Sequence, residues 1–226
     1  MNGFVVRAGR LGYATGMSRF TILLAGPILP TPALRNAVAG TRAIAADAGI
    51  RHAASLHLVP ELWIGDFDSA PDPAVGTGIP RETLPRDKAL TDGELAIAAA
   101  LARGATSLLL VGALGGRSDH AFSNLVIALR EAEAGRTIEL FDGRERGWPL
   151  APGFRRYDAA RGAQFSILKF SDLAGLTIHG ARFPLDAVDL PFASILTQSN
   201  EAEGPLEIGL THGRAILLLQ ADPTVR

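Results

Sequence analysis

Cysteine is absent from the 226 residues, which excludes disulfides and thiolate metal sites and suits a reducing compartment, so a cytoplasmic location is expected. A charge excess is missing too: 22 basic residues stand against 23 acidic ones. With no basic stripe along the chain, nucleic acid is not an expected partner. No apolar run approaches the length of a membrane span, and the run Phe20–Ala25 stops at Gly26-Pro27. The first sixteen residues lack the apolar core and cleavage pattern of a signal peptide. Because Met17 stands just ahead of the first apolar run, residues 1–16 are expected to be a disordered extension or the product of an upstream start site.

What is present is an alternation of short apolar runs and helical stretches. Phe20–Ala25 reads as a first strand. Thr31-Pro32 reads as N-cap and first residue of a helix ending near Gly40. Thr41–Ala46, the run after Pro60, Arg81–Leu84, Ser107–Val111 and Thr137–Phe141 read as further strands, with a mobile, Pro- and Gly-rich loop over 70–80. Thr91-Asp92-Gly93-Glu94 is a capping box opening an alanine-rich helix that closes at Gly104, with Leu95, Ala98, Ala99 and Ala102 expected on its buried face. A second long helix follows the Gly112–His120 turn and runs to about Ala134, stopped by Gly135. Strands alternating with helices predict an α/β domain with a parallel sheet. After residue 142 the helical period disappears. Gly143–Pro152 reads as a loop, followed by short β-like pieces at Gln164–Phe170, Leu176–His179, Phe192–Thr197, Leu206–Thr211 and Arg214–Gln220. That spacing predicts a small antiparallel sandwich. The expected organisation is an α/β nucleotide-binding domain over 17–146 and an all-β sandwich over 147–226.

The chemistry concentrates at Gly65-Asp66-Phe67-Asp68-Ser69, directly after the apolar run Leu62–Ile64. If the backbone stays extended there, the carboxylates of Asp66 and Asp68 point to one side. Two anions so close need a cation between them, and an oxygen-only set suits magnesium. A polar turn capping a strand has the same composition. What favours the metal is position: every Asp-bearing turn falls at the carboxyl edge of a strand, where ligands collect in parallel α/β sheets. Asp92, in the first turn of a helix whose free N–H groups favour negative charge, is a third candidate ligand. The turn Gly112–His120 has the composition of a phosphate site, with Arg117 able to fork onto phosphate oxygens. It is not a Walker A loop, since no Gly-Lys-Ser/Thr follows. Asp119 reads as a base, a substrate anchor or a helix N-terminal acid, and His120 as a structural or ligand-packing residue.

Taken in order, Gly65-Asp66-Phe67-Asp68-Ser69, Thr91-Asp92-Gly93-Glu94, and Gly115-Gly116-Arg117-Ser118-Asp119-His120 with Asn124 resemble the motifs of thiamine pyrophosphokinases. Ala46-Asp47-Ala48-Gly49 resembles that family's upstream Ala-Asp-Gly-Gly turn. Gly175-Leu176-Thr177, Gly180, Pro184-Leu185 and Ser199-Asn200-Glu201 resemble its thiamine-binding sandwich. The resemblance implies transfer of a diphosphate from ATP to the hydroxyl of thiamine with release of AMP, by a homodimer that binds thiamine near the subunit interface. It implies magnesium on Asp66, Asp68 and Asp92, with Arg117 and Asp119 among the catalytic residues. Nucleotide contacts are implied for Asp47, Ser69, Lys88, Thr91, Gly116, His120 and Asn124, and thiamine contacts for Ser199 and Asn200. Two departures stand out. Lys88-Ala89-Leu90-Thr91-Asp92 lacks the acidic residue the family carries at the position of Ala89, and Ala48 replaces a glycine.

Two rivals share parts of this pattern. A strand ending in Asp-x-Asp also resembles the phosphorylated motif of haloacid-dehalogenase-type phosphatases, but that family carries it on its first strand and needs a later lysine and acid pair. A non-catalytic binding protein of the same fold, with Ala89 as its lesion, is the other. AMP as a product separates the main reading from both.

Overall fold

The computed structural model describes residues 18–67, 76–83 and 90–221. The expected N-terminal extension, Asp68, Ser69, Lys88 and Ala89 lie outside these residues, as does most of the proline-rich loop. In chain order the elements are β1 (Arg19–Leu23), α1 (Pro32–Val38), β2 (Arg42–Ala46), two short 3-10 turns (Asp47–His52 and Ala54–Leu56), β3 (Leu62–Gly65), β4 (Arg81–Thr83), α2 (Asp92–Ala102), β5 (Ser107–Val111), α3 (Ser118–Glu133) and β6 (Thr137–Phe141). They continue with β7 (Glu145–Pro149), β8 (Gly153–Tyr157), β9 (Gln164–Lys169), β10 (Leu173–Ala181), β11 (Leu185–Leu190), β12 (Asn200–Leu210) and β13 (Ala215–Gln220).

The strands β4-β3-β2-β1-β5-β6 pair in that order, all parallel. Their side chains alternate between two apolar faces, because a parallel sheet with helices on both sides buries both. Ile22, Ile44, Ile64, Leu108 and Leu110 face α2 and α3, while Leu23, Ala45, Trp63, Leu109 and Val111 face α1 and the 3-10 turns. Strand order reverses between β1 and β5. That is the point where the loops leaving the carboxyl ends diverge and a ligand crevice forms in such sheets.

The sheet does not stop at β6. It continues antiparallel through β7, β13 and β9 to the start of β12. Strand β12 then passes into a second antiparallel sheet, where it pairs with β8 on one side and β10 on the other, and β11 closes the edge beside β10. Strand β13 explains the uninterrupted Ala-Ile-Leu-Leu-Leu run: Ile216 packs into the α2–α3 core, whereas Ala215, Leu217 and Leu219 enter a second core shared with Leu176, Ile178, Leu206 and Ile208.

Several expectations need correction. The stretch 143–152 is not a loop, since β7 occupies it, with Leu218 paired to Gly147. The β-like piece expected at Phe192–Thr197 consists of turns, with Phe192, Ile195 and Leu196 exposed. Strands β8 and β11 replace it in the second sheet. Residues Ala98 and Ala102 of α2 face solvent, and the buried positions are Ala96, Ile97 and Ala100. An alanine-rich helix has almost no apolar asymmetry to read, so its rotation is set by what it touches. At its first turn Gly93 comes so close to the Leu24 side chain that a Cβ there would lie 3.0 Å from Leu24 Cδ2.

Candidate active site

The carboxyl ends of β1, β2, β3 and β5 meet at one edge. Leu24 N–H donates to Val111 O (2.8 Å) and Gly26 N–H to Gly112 O (2.9 Å), which zips the two loops of the switch point together. The turn after β2 grips the same loop: Arg51 donates to Ala25 O, and His52 Nε2 lies 2.8 Å from Gly26 O. A carbonyl only accepts, so Nε2 of His52 carries the proton.

Asp47 begins that turn with φ of 43°, and Gly65 of β3 lies against it: a Cβ on Gly65 would stand 3.1 Å from Asp47 Cα. Asp66 follows Gly65 and is half-buried. The premise of an extended backbone between the two aspartates does not hold, because Phe67 has φ of 61°. That is the left-handed region, costly for a bulky side chain. Asp92 opens α2, which lies across β1, β2 and β3. Its N-cap is formed as expected: Thr91 Oγ1 accepts from Glu94 N–H (3.2 Å), while Glu94 Oε2 accepts from Thr91 N–H (2.9 Å). Glu94 also takes a 2.7 Å bond from Arg130 of α3. Burial would raise its pKa, but the Thr91 backbone and then Arg130 outweigh it, leaving the carboxyl below the ordinary range. It is therefore a fixed anion that anchors the start of α2.

Asp47, Asp66 and Asp92 thus share one sheet edge, and carboxylate oxygens are the donors magnesium prefers. Among the described residues no three His, Asp or Glu side chains stand close enough to hold an ion. The fit is therefore one of donor chemistry, and magnesium ordinarily completes its shell with phosphate oxygens and water.

Arg117 is the N-cap residue of α3, and Gly116 before it packs on the Pro27 ring of the β1 loop. Arg117 and Asp119 form a fork, Nη2 to Oδ2 at 2.6 Å and Nε to Oδ1 at 3.2 Å, and both side chains are exposed. Asp119 also accepts from His120 N–H at 2.9 Å. The Arg117 hydrogen bond holds the Asp119 carboxyl below its ordinary pKa. A carboxylate so stabilised is a weak base, which favours the anchor reading over the base reading. Asn124 Nδ2 donates to Ala113 O (3.0 Å) and so shapes the turn from behind.

Ser199 and Asn200 stand elsewhere. Ser199 has φ of 57° and donates its N–H to Ser166 Oγ (3.0 Å). Asn200 is buried: its Oδ1 accepts from Phe183 N–H (3.1 Å) and Glu201 N–H (2.8 Å), and its Nδ2 donates to Phe183 O (2.8 Å). Between β3 and β12 lie β2, β1, β5, β6, β7, β13 and β9. At the usual strand spacing that puts Asp66 and Ser199 on the order of 30–40 Å apart within one chain.

Sequence reasoning missed Arg51, His52 and Trp63. Each acts through a contact distant in sequence, and only the turn directly after β2 hinted at the first two. His52 yields a prediction. Burial, chiefly, pushes its pKa below the ordinary 6.5, with Arg51 adding to this and the Gly26 hydrogen bond opposing it. A folded-state pKa below the unfolded one means that the unfolded chain binds the extra proton first as pH falls. Stability is therefore expected to hold above pH 6.5 and to decline below it, toward the lowered value. Urea melts from pH 7.5 to 5.5 on the protein and on His52→Gln check this. Equal slopes in that window would refute it.

Residues 38–140 match the family model for the catalytic domain of thiamin pyrophosphokinase. A thiamine pyrophosphokinase of Bacillus subtilis (strain 168) is 28% identical over 152 residues, covering 64% of this chain and 70% of that protein. The crystal structure of a thiamin pyrophosphokinase from Geobacillus thermodenitrificans superposes with a TM-score of 0.76 at 26% identity, over 92% of this chain and 100% of that one. The crystal structure from Bacillus subtilis gives a TM-score of 0.78 at 23% identity, over 90% and 99%. The matched segment opens in α1 and ends in β6, so it contains each acidic turn and the glycine turn described above. Over residues 38–140 the chain is similar to the catalytic domain of thiamin pyrophosphokinases, and it shares the fold of their solved structures.

Proposed function

We propose that this protein is a thiamine diphosphokinase, transferring a diphosphate group from ATP to the hydroxyl of thiamine and releasing AMP. The observation that carries this reading is the gathering of Asp47, Asp66, Asp92 and the Gly112–His120 turn at one sheet edge, in a chain similar to that family. The α/β part, 17–146, is the nucleotide half and the all-β part, 147–226, the thiamine-binding sandwich. Asp66 and Asp92, with Asp68, are the residues to hold magnesium, which when bound neutralises phosphate charge. Phosphoryl-group chemistry of this kind needs positioning and charge compensation more than covalent help. Arg117, oriented by Asp119, offsets the remaining negative charge. Thr91, Gly116, His120 and Asn124 line or shape the nucleotide side, with Ser69 and Lys88 completing it.

Thiamine is assigned to Ser199 and Asn200, which raises a geometric problem. No group transfer spans the 30–40 Å estimated above between these residues and Asp66. The reading therefore requires a homodimer in which the sandwich of one subunit faces the acidic edge of the other. The exposed Phe122 and Val126 of α3, with Phe192, Ile195 and Leu196, supply an apolar surface suited to such a contact. A cytoplasmic location follows from the substrates; among the described residues, no helix is long and apolar enough to cross a membrane.

The test is to incubate the protein with ATP, magnesium and thiamine and identify both products. Thiamine diphosphate and AMP in equal amounts are expected, with activity per chain falling on dilution below the dimer's dissociation constant. Thiamine binding without AMP would show a non-catalytic relative instead, and ADP or free phosphate would contradict the proposed transfer.

A further inference from the structure

The side chain of Trp63 is 1% exposed and makes two contacts that converge on the acidic turns. Its indole N–H donates to Asp47 O at 2.8 Å. Its ring meets Phe67 edge-to-face, centroids 4.9 Å apart at 89°. The Arg81 guanidinium lies 4.5 Å from the same ring centre, and a Cβ on Gly76 would fall 3.0 Å from two of its carbons. Among the described residues five non-glycine positions have positive φ, and two of them, Asp47 and Phe67, are the residues Trp63 touches. Such conformations persist only where the surroundings over-determine them.

We infer that Trp63 is a positioning residue that sets the aim of the Asp47 and Asp66 carboxylates toward Mg·ATP. The inference rests on the reading of that edge as the nucleotide site. Phe67 directly follows Asp66, so the seat of its ring decides how the chain leaves the first carboxylate. The hydrogen bond at Asp47 O fixes the neighbouring turn against the same indole. One rigid side chain thereby couples turns that are twenty residues apart in sequence. An aliphatic residue would fill the space but offer no donor, and phenylalanine would keep the ring while leaving Asp47 O without the indole donor.

The experiment compares the native protein, Trp63→Phe and, as a control, Trp148→Phe. Trp148 is the only other tryptophan and packs against Tyr157 at the second core, ring centroids 5.2 Å apart and planes tilted by 52°. Calorimetric titration with Mg·ATP, at a temperature where all three are folded, is expected to show about five- to tenfold weaker binding for Trp63→Phe. Trp148→Phe is expected to lose stability with unchanged Mg·ATP affinity. A second readout needs no folded Trp63 variant. In the Trp148→Phe protein the single remaining indole N–H resonance is expected to exchange slowly and to shift on adding Mg·ATP. Native affinity in Trp63→Phe, or an indole signal indifferent to Mg·ATP, overturns the inference. A protein that binds Mg·ATP but forms no AMP fails the proposed function and leaves this inference standing. One that takes up no Mg·ATP overturns both.

Discussion

Asp66→Asn is expected to slow diphosphate transfer by roughly 10²–10³-fold while leaving the protein folded. The substitution keeps shape and removes the charge. Asp66 is half-buried directly after β3, so an amide fits without disturbing the apolar core. If the carboxylate helps to hold a cation against phosphates, its loss acts most strongly where negative charge moves during transfer. The loss should therefore appear mainly in kcat, accompanied by a higher magnesium requirement. Thiamine affinity should be little changed, since Ser199 and Asn200, not Asp66, are the residues proposed to hold it. The measurements are steady-state kinetics at varied magnesium, with a thermal melt to confirm the fold. Activity within a few-fold of the native protein would remove Asp66 from the site. So would full rescue by excess ATP alone, which would signify lost binding without a role in transfer.

Gly112→Ala is expected to cost about 3–5 kcal/mol of stability and, through it, the geometry of the whole edge. Gly112 has φ of 74°, and a Cβ there would lie 2.4 Å from Leu24 O and 3.0 Å from Gly26 O. Those atoms are backbone, so no flexible side chain can move aside. The loops after β1 and β5 must separate, which breaks the Gly26 N–H bond to Gly112 O and unseats the turn that carries Arg117. For a chain of this size the melting temperature should fall by roughly 8–15 °C. Gly104→Ala supplies the comparison. Gly104 also has positive φ, 86°, but nothing lies within 4 Å of the added Cβ. Only the left-handed conformation is penalised there, by about 1–2 kcal/mol. Equal melting temperatures for the two variants would refute the claim that close approach of the two loops, not backbone conformation, makes Gly112 indispensable.

Helix starts and buried strands were legible because their causes are local. Thr91 caps α2 through Glu94, three residues on, and Thr31 caps α1 through Leu34 N–H. The Leu-rich β5 and the Thr137–Phe141 strand are found where the apolar runs lie. The errors share a different origin. The rotation of α2 failed because alanine on every side gives no preferred face, and contact with Leu24 and the sheet decided it. Strand β7 was hidden by its mixture of Glu, Arg and Gly. It is a strand because β13 and β6 offer it backbone partners on both sides. Phe192–Thr197 has the composition of a strand, yet it folds into turns, with Thr197 O at its end accepting from Ile167 N–H of β9 (2.9 Å). At the site, residue types pointed to one sheet edge, where Asp47, Asp66 and Asp92 stand, but the left-handed φ at Phe67 contradicts an extended backbone after Asp66.

By itself the sequence determined the alternation of strands and helices, the capped start of α2, the lack of cysteine and of any net charge excess, and which acidic and glycine turns are candidates for chemistry. Periodicity, capping and turn composition act over a few residues, so they are written where they operate. The tertiary structure alone decided that the parallel sheet runs on through β7 and β13, that Trp63 couples the Asp47 and Phe67 turns, and that Ser199 lies many strands from Asp66. Those are consequences of which distant backbone finds a free partner and which faces remain to be covered, and no short window of residues contains that information.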